Sequence, residues 1–228
     1  MLTFYSAVGS YQIQKDDGVK MPYIQRLGKL YPVSIPEFVI WSSLLWEVMN
    51  YDELAKVYNE QMKSAGMKAP KLDDMLNLLQ RRRLILCGNG YTGIDALYNM
   101  LADAFVIPYH IPKCRKIWSI LKFWTKHLVS LPDAFDRMRT DSIMGGSESR
   151  VISLVEQTPL STAELIRCFE RGISDVSTPE KVIAGIYPED EATQARIAAE
   201  QYGSTQKQLV LQAVANLYLS RQIILEVA

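Results

Sequence analysis

Two stretches of this 228-residue chain spell the same order of elements, and that repetition constrains the fold more than any single motif. In the first, Pro36 suits the opening turn of a helix. Phe38, Trp41, Leu44, Leu45 and Val48 then recur at three- and four-residue steps. Asn50 is placed to cap a second helix over about 51–62, with Leu54, Val57, Tyr58 and Met62 on one face. Beyond the breaks at Gly66 and Pro70, a third helix over about 71–82 carries Leu72, Met75, Leu76 and Leu79 inward. Leu84-Ile85-Leu86-Cys87 reads as a strand, Gly88-Asn89-Gly90 as a tight turn and Tyr91-Thr92 as the start of a return strand, followed by a helix over about 94–105.

The second stretch begins with Val151, Leu154 and Val155 on one helical face, then the capping box Ser161-Thr162-Ala163-Glu164. Glu164 to Phe169 parallels Glu53 to Tyr58. Leu72, Asn77, Leu78 and Arg82 fall opposite Leu211, Asn216, Leu217 and Arg221, and Leu84-Ile85-Leu86 falls opposite Ile223-Ile224-Leu225. About 28 further residues separate the second and third helices of this copy, near 172–203, with room for a helix over about 188–202.

The flanking segments differ in character. Residues 1–35 are β-rich: Tyr11-Gln12-Ile13-Gln14 and Val19-Lys20-Met21 flank a hairpin signal ending in Asp17-Gly18. Between Ala104 and Pro132 there is no carboxylate, but there are Lys113, Arg115, Lys116, Lys122 and Lys126. Ile117, Ile120, Leu121, Trp124 and Leu128 make one helical stripe, and Arg115, Ser119, Lys122 and Lys126 make the opposite one. Residues 141–148 are small and polar and suit a linker. The division read from the sequence is a β-rich segment 1–35, a first module 36–104, a basic amphipathic helix region 105–140 and a second module 148–228.

Three helices and then a strand–turn–strand is the order of a winged helix-turn-helix module. Residues 36–93 resemble that superfamily in pattern and spacing, and the second stretch resembles it more distantly. The resemblance implies a mainly α fold with small β-hairpins, as two winged-helix-like modules joined by a basic linker helix. It also implies a DNA-binding transcription regulator of bacterial type, whose third helix enters the major groove while the wing touches a flank. Carried onto this chain, Asn77, Gln80 and Arg81 would face base edges beside Lys71. Arg82 and Arg83 would reach phosphates, Asn89 would sit at the wing tip, and Lys113, Arg115, Lys116, Lys122 and Lys126 would add phosphate contacts. Asp73 and Asp74 on the same helix oppose that role, and a solvated helix end that complements the dipole explains the three arginines equally well.

Catalytic signals are poor. The only histidines are His110 and His127, and no phosphate-binding loop, nucleophile elbow or His-Glu-x-x-His helix occurs. His110, Cys114 and His127 fall short of the four ligands of a structural zinc site. No enzyme, cofactor or metal is expected. Cys87, Cys114 and Cys168 are odd in number and widely spaced, which fits a reducing, cytoplasmic setting, and no apolar run is long enough to span a bilayer.

The balance of 25 basic and 25 acidic residues leaves a second class of function open, a protein-interaction or scaffold protein that reuses the same modules. Val210, Ala213 and Leu217 fall outside or at the edge of the third helix of the second copy if its core face is Leu211, Val214, Ala215 and Tyr218. They would contact a homodimer mate or another protein partner.

Overall fold

The computed structural model of the chain describes residues 1–16, 19–109, 145–187 and 193–227. β1 (Leu2–Ala7) passes through Gly9 into an antiparallel meander of β2 (Ser10–Asp16), β3 (Val19–Arg26) and β4 (Lys29–Pro32). Gly9 has φ +81°, and a Cβ there would lie 2.1 Å from the Gln25 carbonyl oxygen, so the bend demands glycine. α1 (Ile35–Leu44) follows, opened by a reciprocal capping box between Ser34 and Glu37 with Pro36 in its first turn. Then come β5 (Met49–Asn50), α2 (Tyr51–Ser64) capped by Asn50 and Glu53, α3 (Leu72–Arg81), β6 (Ile85–Gly90) and α4 (Gly93–Leu101).

The second half repeats this order: β7 (Phe105–Pro108), α5 (Gly146–Val155), β8 (Leu160–Ser161), α6 (Thr162–Glu170), α7 (Pro179–Ile186), α8 (Thr193–Leu219) and β9 (Ile223–Glu226). Each half builds a three-stranded antiparallel sheet in which the leading strand lies between a two-residue strand and the closing strand, in the orders β5-β1-β6 and β8-β7-β9. The registers coincide. Phe4 sits between Asn50 and Gly88, and Phe105 sits between Ser161 and Glu226. Asn50 and Ser161 are also the helix caps of α2 and α6, each reciprocated by a glutamate three residues on. The chain leaves α3 and α8 through the same turn: Arg83 N–H bonds the Gln80 carbonyl and Leu84 N–H that of Leu79, just as Arg221 bonds Tyr218 and Gln222 bonds Leu217. Arg83 (φ 53°) and Arg221 (φ 62°) take the left-handed position that closes such a helix end. Arg83, not Arg82, is therefore the counterpart of Arg221, and the third-helix alignment read from the sequence is one residue out.

Several expectations are corrected. Among the described residues the fold is mixed α/β, 50% helical and 24% strand, with three small antiparallel sheets and eight helices, rather than mainly α with hairpins. Gly88-Asn89-Gly90 is no wing turn: it is the end of β6, paired with Asn89 opposite Thr3 and Gly90 opposite Leu2. Tyr91-Thr92 starts no return strand, because the Thr92 hydroxyl accepts from Asp95 N–H and caps α4. The two glycines serve close packing. A Cβ on Gly88 would lie 2.2 Å from the Ala96 carbonyl oxygen, and one on Gly90 would lie 2.3 Å from Ala96 N. Residues 1–35 do not stand apart, since β1 is the central strand of the first sheet, and β7 plays that part in the second. Gly145 and Gly146 open α5, so they belong to a helix start rather than a linker. Of the helix foreseen over 188–202, residues 193–202 are the early part of the long α8, with α7 before it, and 188–192 lie outside the described residues.

Two cores result. The first gathers Ile24, Ile40, Trp41, Leu44, Leu54, Tyr58, Met62, Leu76, Leu79 and Leu84. The second is centred on Leu154, Leu165, Val210, Val214, Leu217 and Ile223, and takes in Met100 and Leu101 of α4 with Phe4 and Trp46 packed against it. The halves are fastened at Tyr218. Its hydroxyl accepts from Trp46 N–H at 3.0 Å and lies 3.1 Å from the Leu44 carbonyl oxygen and 3.3 Å from that of Ala7. Burial pushes this phenol above its ordinary pKa.

Candidate interaction surfaces

The α3 face was assembled in the sequence from Lys71, Asn77, Gln80, Arg81, Arg82 and Arg83, and the structure separates these residues. Leu76 and Leu79 are buried, which turns Lys71, Asp73, Asp74, Asn77 and Arg81 to solvent. Asp73 accepts the Tyr51 hydroxyl proton at 2.9 Å. Gln80 is half-buried and hydrogen-bonds the Cys87 thiol, so its amide faces the sheet.

Arg82 is occupied inside the molecule. Its Nη1 meets Glu37 Oε1 at 2.7 Å and its Nη2 donates to the Pro32 carbonyl at 2.5 Å. Glu37 is 5% exposed and also accepts from Ser34, so Arg82 balances a carboxylate held out of water. Arg26 of β3 closes the same end of α3: Nη1 lies 3.2 Å from the Arg82 carbonyl oxygen and 3.4 Å from that of Arg83, and Nη2 bonds the Tyr31 hydroxyl at 3.1 Å. A cation over these carbonyls satisfies acceptors that a helix end leaves open. The arginine cluster thus ties α3 to the meander. Asn89 is exposed, but it lies on β6, where its carbonyl accepts from the Asn99 amide at 2.7 Å. Lys113, Arg115, Lys116, Lys122 and Lys126 lie outside the described residues.

The three positions assigned to a partner are core residues. Val210 is 0% exposed, Ala213 1% and Leu217 1%. Over residues 205–219, α8 packs one broad face (Val210, Leu211, Ala213, Val214, Leu217 and Tyr218) against α4, α5, α6 and the first half, while Gln208, Leu209, Gln212, Asn216 and Leu219 are exposed. The inward face is one stripe, rotated from the Leu211, Val214, Ala215 and Tyr218 face expected from the sequence. The aliphatic character of Val210, Ala213 and Leu217 signalled core, not docking.

Neither described thiol is built for chemistry. Burial pushes Cys87 up, with its hydrogen bonds to Tyr5 and Gln80 pulling the other way. Burial raises Cys168 to about 11, the Glu164 charge adds to that, and Arg150 opposes it. Among the described residues no cluster of three or more metal-ligating side chains occurs, and no helix is long and apolar enough to cross a membrane.

A surface that sequence reasoning did not single out lies on the meander. β2 is an end strand of its sheet, seven residues long, and Tyr11, Gln12, Ile13, Gln14 and Lys15 are exposed in succession. Tyr11 leans edge-on against Phe38 and Trp41 of α1, with ring centroids 5.7 and 6.1 Å away, yet stays 46% exposed, and Ile13 is 58% exposed. The alternation Tyr11-Gln12-Ile13-Gln14 was visible in the sequence. What it could not show is that the apolar face runs past the end of the core.

With this geometry in hand, comparison with known proteins gives no further footing: no family model, curated protein or solved structure matches the chain.

Proposed function

We propose that this is a non-enzymatic protein-interaction module, in which two units of one strand-led design form a scaffold and the meander supplies the docking edge. The observation that carries the reading is the use made of Arg82. The central member of the cluster that would grip phosphates neutralises buried Glu37, while the open strand β2 carries the exposed apolar side chains Tyr11 and Ile13 beside its unpaired edge. The helix–short strand–helix–helix–strand order also supports distant kinship with winged-helix proteins, with the leading strand standing where a wing strand would return. A cytoplasmic setting fits the wide spacing of Cys87, Cys114 and Cys168.

DNA contact is the second reading, favoured by the joint exposure of Lys71, Asn77 and Arg81 on α3. The test is polarisation of labelled duplex DNA at roughly 50 and 200 mM salt. The interaction reading expects little binding and no steep loss between the two. Binding that falls steeply with salt, and whose slope flattens in a Lys71→Ala/Arg81→Ala variant, overturns it in favour of DNA.

A further inference from the structure

The main-chain geometry of β2 specifies what its open edge accepts. Ile13 lies opposite Pro22 of β3, and the Pro22 carbonyl accepts from Val33 N–H at 3.4 Å, on the β4 side. A strand residue directs its N–H and C=O to the same edge, so Ile13 and Pro22 form a non-hydrogen-bonded pair. That placement also accommodates a proline in the central strand of the meander. It follows by alternation that Gln12 and Gln14 bond inward to β3, and that Tyr11, Ile13 and Lys15 present N–H and C=O to the outside. No hydrogen bond from a described residue reaches those outward groups.

The edge is complementary to itself. Turned antiparallel about Ile13, β2 sets Ile13 against Ile13, Tyr11 against Lys15, Gln12 against Gln14 and Ser10 against Asp16, with no like charges opposed. All the outward groups, on Tyr11, Ile13 and Lys15, then fall in hydrogen-bonded pairs, as an antiparallel ladder requires. By contrast, Lys15 faces Lys20 within the hairpin itself. The exposed Tyr11 and Ile13 side chains share one face, so the same pairing would join two apolar patches.

We propose that the occupant of this edge is β2 of a second copy of the chain, joining two meanders into one six-stranded sheet across a two-fold axis at Ile13. This rests on reading the protein as an interaction module and names the partner of that site. A contact built on one strand pair is small and therefore weak, because stable interfaces bury far more surface.

The experiment is sedimentation of the full chain from about 1 µM to about 1 mM, a range that spans weak association. The proposal expects a reversible monomer–dimer equilibrium that Ile13→Pro abolishes. In the hairpin that residue's N–H is unused, so the fold should survive, as circular dichroism would check. Ile13→Lys, which opposes two cations at the axis, should abolish it as well. As a check on register, Ile13→Cys should form a disulfide-linked dimer under mild oxidation, because residues paired across strands lie within bridging distance, whereas Ser10→Cys should not. A chain that stays monomeric throughout, or a dimer indifferent to Ile13→Pro, overturns the proposal. The DNA titration is read on dilute monomer, so failure here and failure of the interaction reading are told apart.

Discussion

The two halves share one register, but they treat their sheet edges differently. In the second half the outer edge of β9 is closed by the first: Ile223 O accepts from the Trp46 indole at 3.3 Å, Leu225 O accepts from Gly9 N–H at 2.8 Å, and the Glu226 carboxylate takes Leu27 N–H at 3.1 Å. In the first half the added meander carries a seven-residue end strand whose residues 11–15 are exposed. The molecule thus has both a sealed edge, on a repeated unit, which builds it, and an open one, on the added meander, which faces its surroundings. What surrounds the edge decides its use, not the strand itself.

The comparison can be broken at α8, where the largest effect is expected. Leu217→Ala should lower unfolding free energy by about 2–5 kcal/mol, the range for a fully buried leucine. Chemical denaturation would measure it, and a loss of association with unchanged stability would restore the surface role first given to Leu217.

A smaller effect sharpens the match in register. Gly88 and Glu226 hold equivalent places, yet one must lack a side chain and the other uses one. Gly88→Ala forces a Cβ against the α4 backbone and should destabilise by about 1–3 kcal/mol. A neutral result in the same assay would mean that α4 does not press on β6 as described.

The smallest effect concerns pH. Burial raises the Glu226 carboxyl above its ordinary value, with the Leu27 N–H and Arg26 opposing that less strongly. The folded form therefore holds this proton more readily than the unfolded chain. Glu226 favours folding most below the unfolded glutamate pKa of about 4.3, and that share is lost as pH rises through its raised folded value. Glu226→Gln keeps an acceptor for Leu27 N–H and removes the titration. Relative to the parent, the variant should gain stability between about pH 4 and pH 7. Glu170 is also raised by burial but is common to both proteins and cancels in the difference. Parallel melting curves across that range would contradict the assignment.

Local signals in the sequence located the helices well, because capping and periodicity are short-range. Asn50 caps α2, and Ser161 with Glu164 caps α6, where they were expected to, and Glu53 adds the reciprocal bond at Asn50. Long-range strand pairing was not legible. Gly88-Asn89-Gly90 carries every mark of a turn, and only the approach of α4 and the distant partner β1 explain it as strand. Arg82 looked solvent-facing by helical phase, but Glu37, far back in the chain, fixes its role. Val210, Ala213 and Leu217 were misplaced because aliphatic residues on both sides of α8, with Leu209 and Leu219 exposed, leave the phase of its one buried face ambiguous, and the face chosen from the sequence was rotated from the real one.

The open edge can be examined directly by amide hydrogen exchange along β2 at low and high protein concentration. The account predicts Gln12 and Gln14 slow at both, with Tyr11 and Ile13 fast when dilute and slowed when concentrated. Protection of Ile13 at every dilution, or its rapid exchange at every concentration, would contradict it.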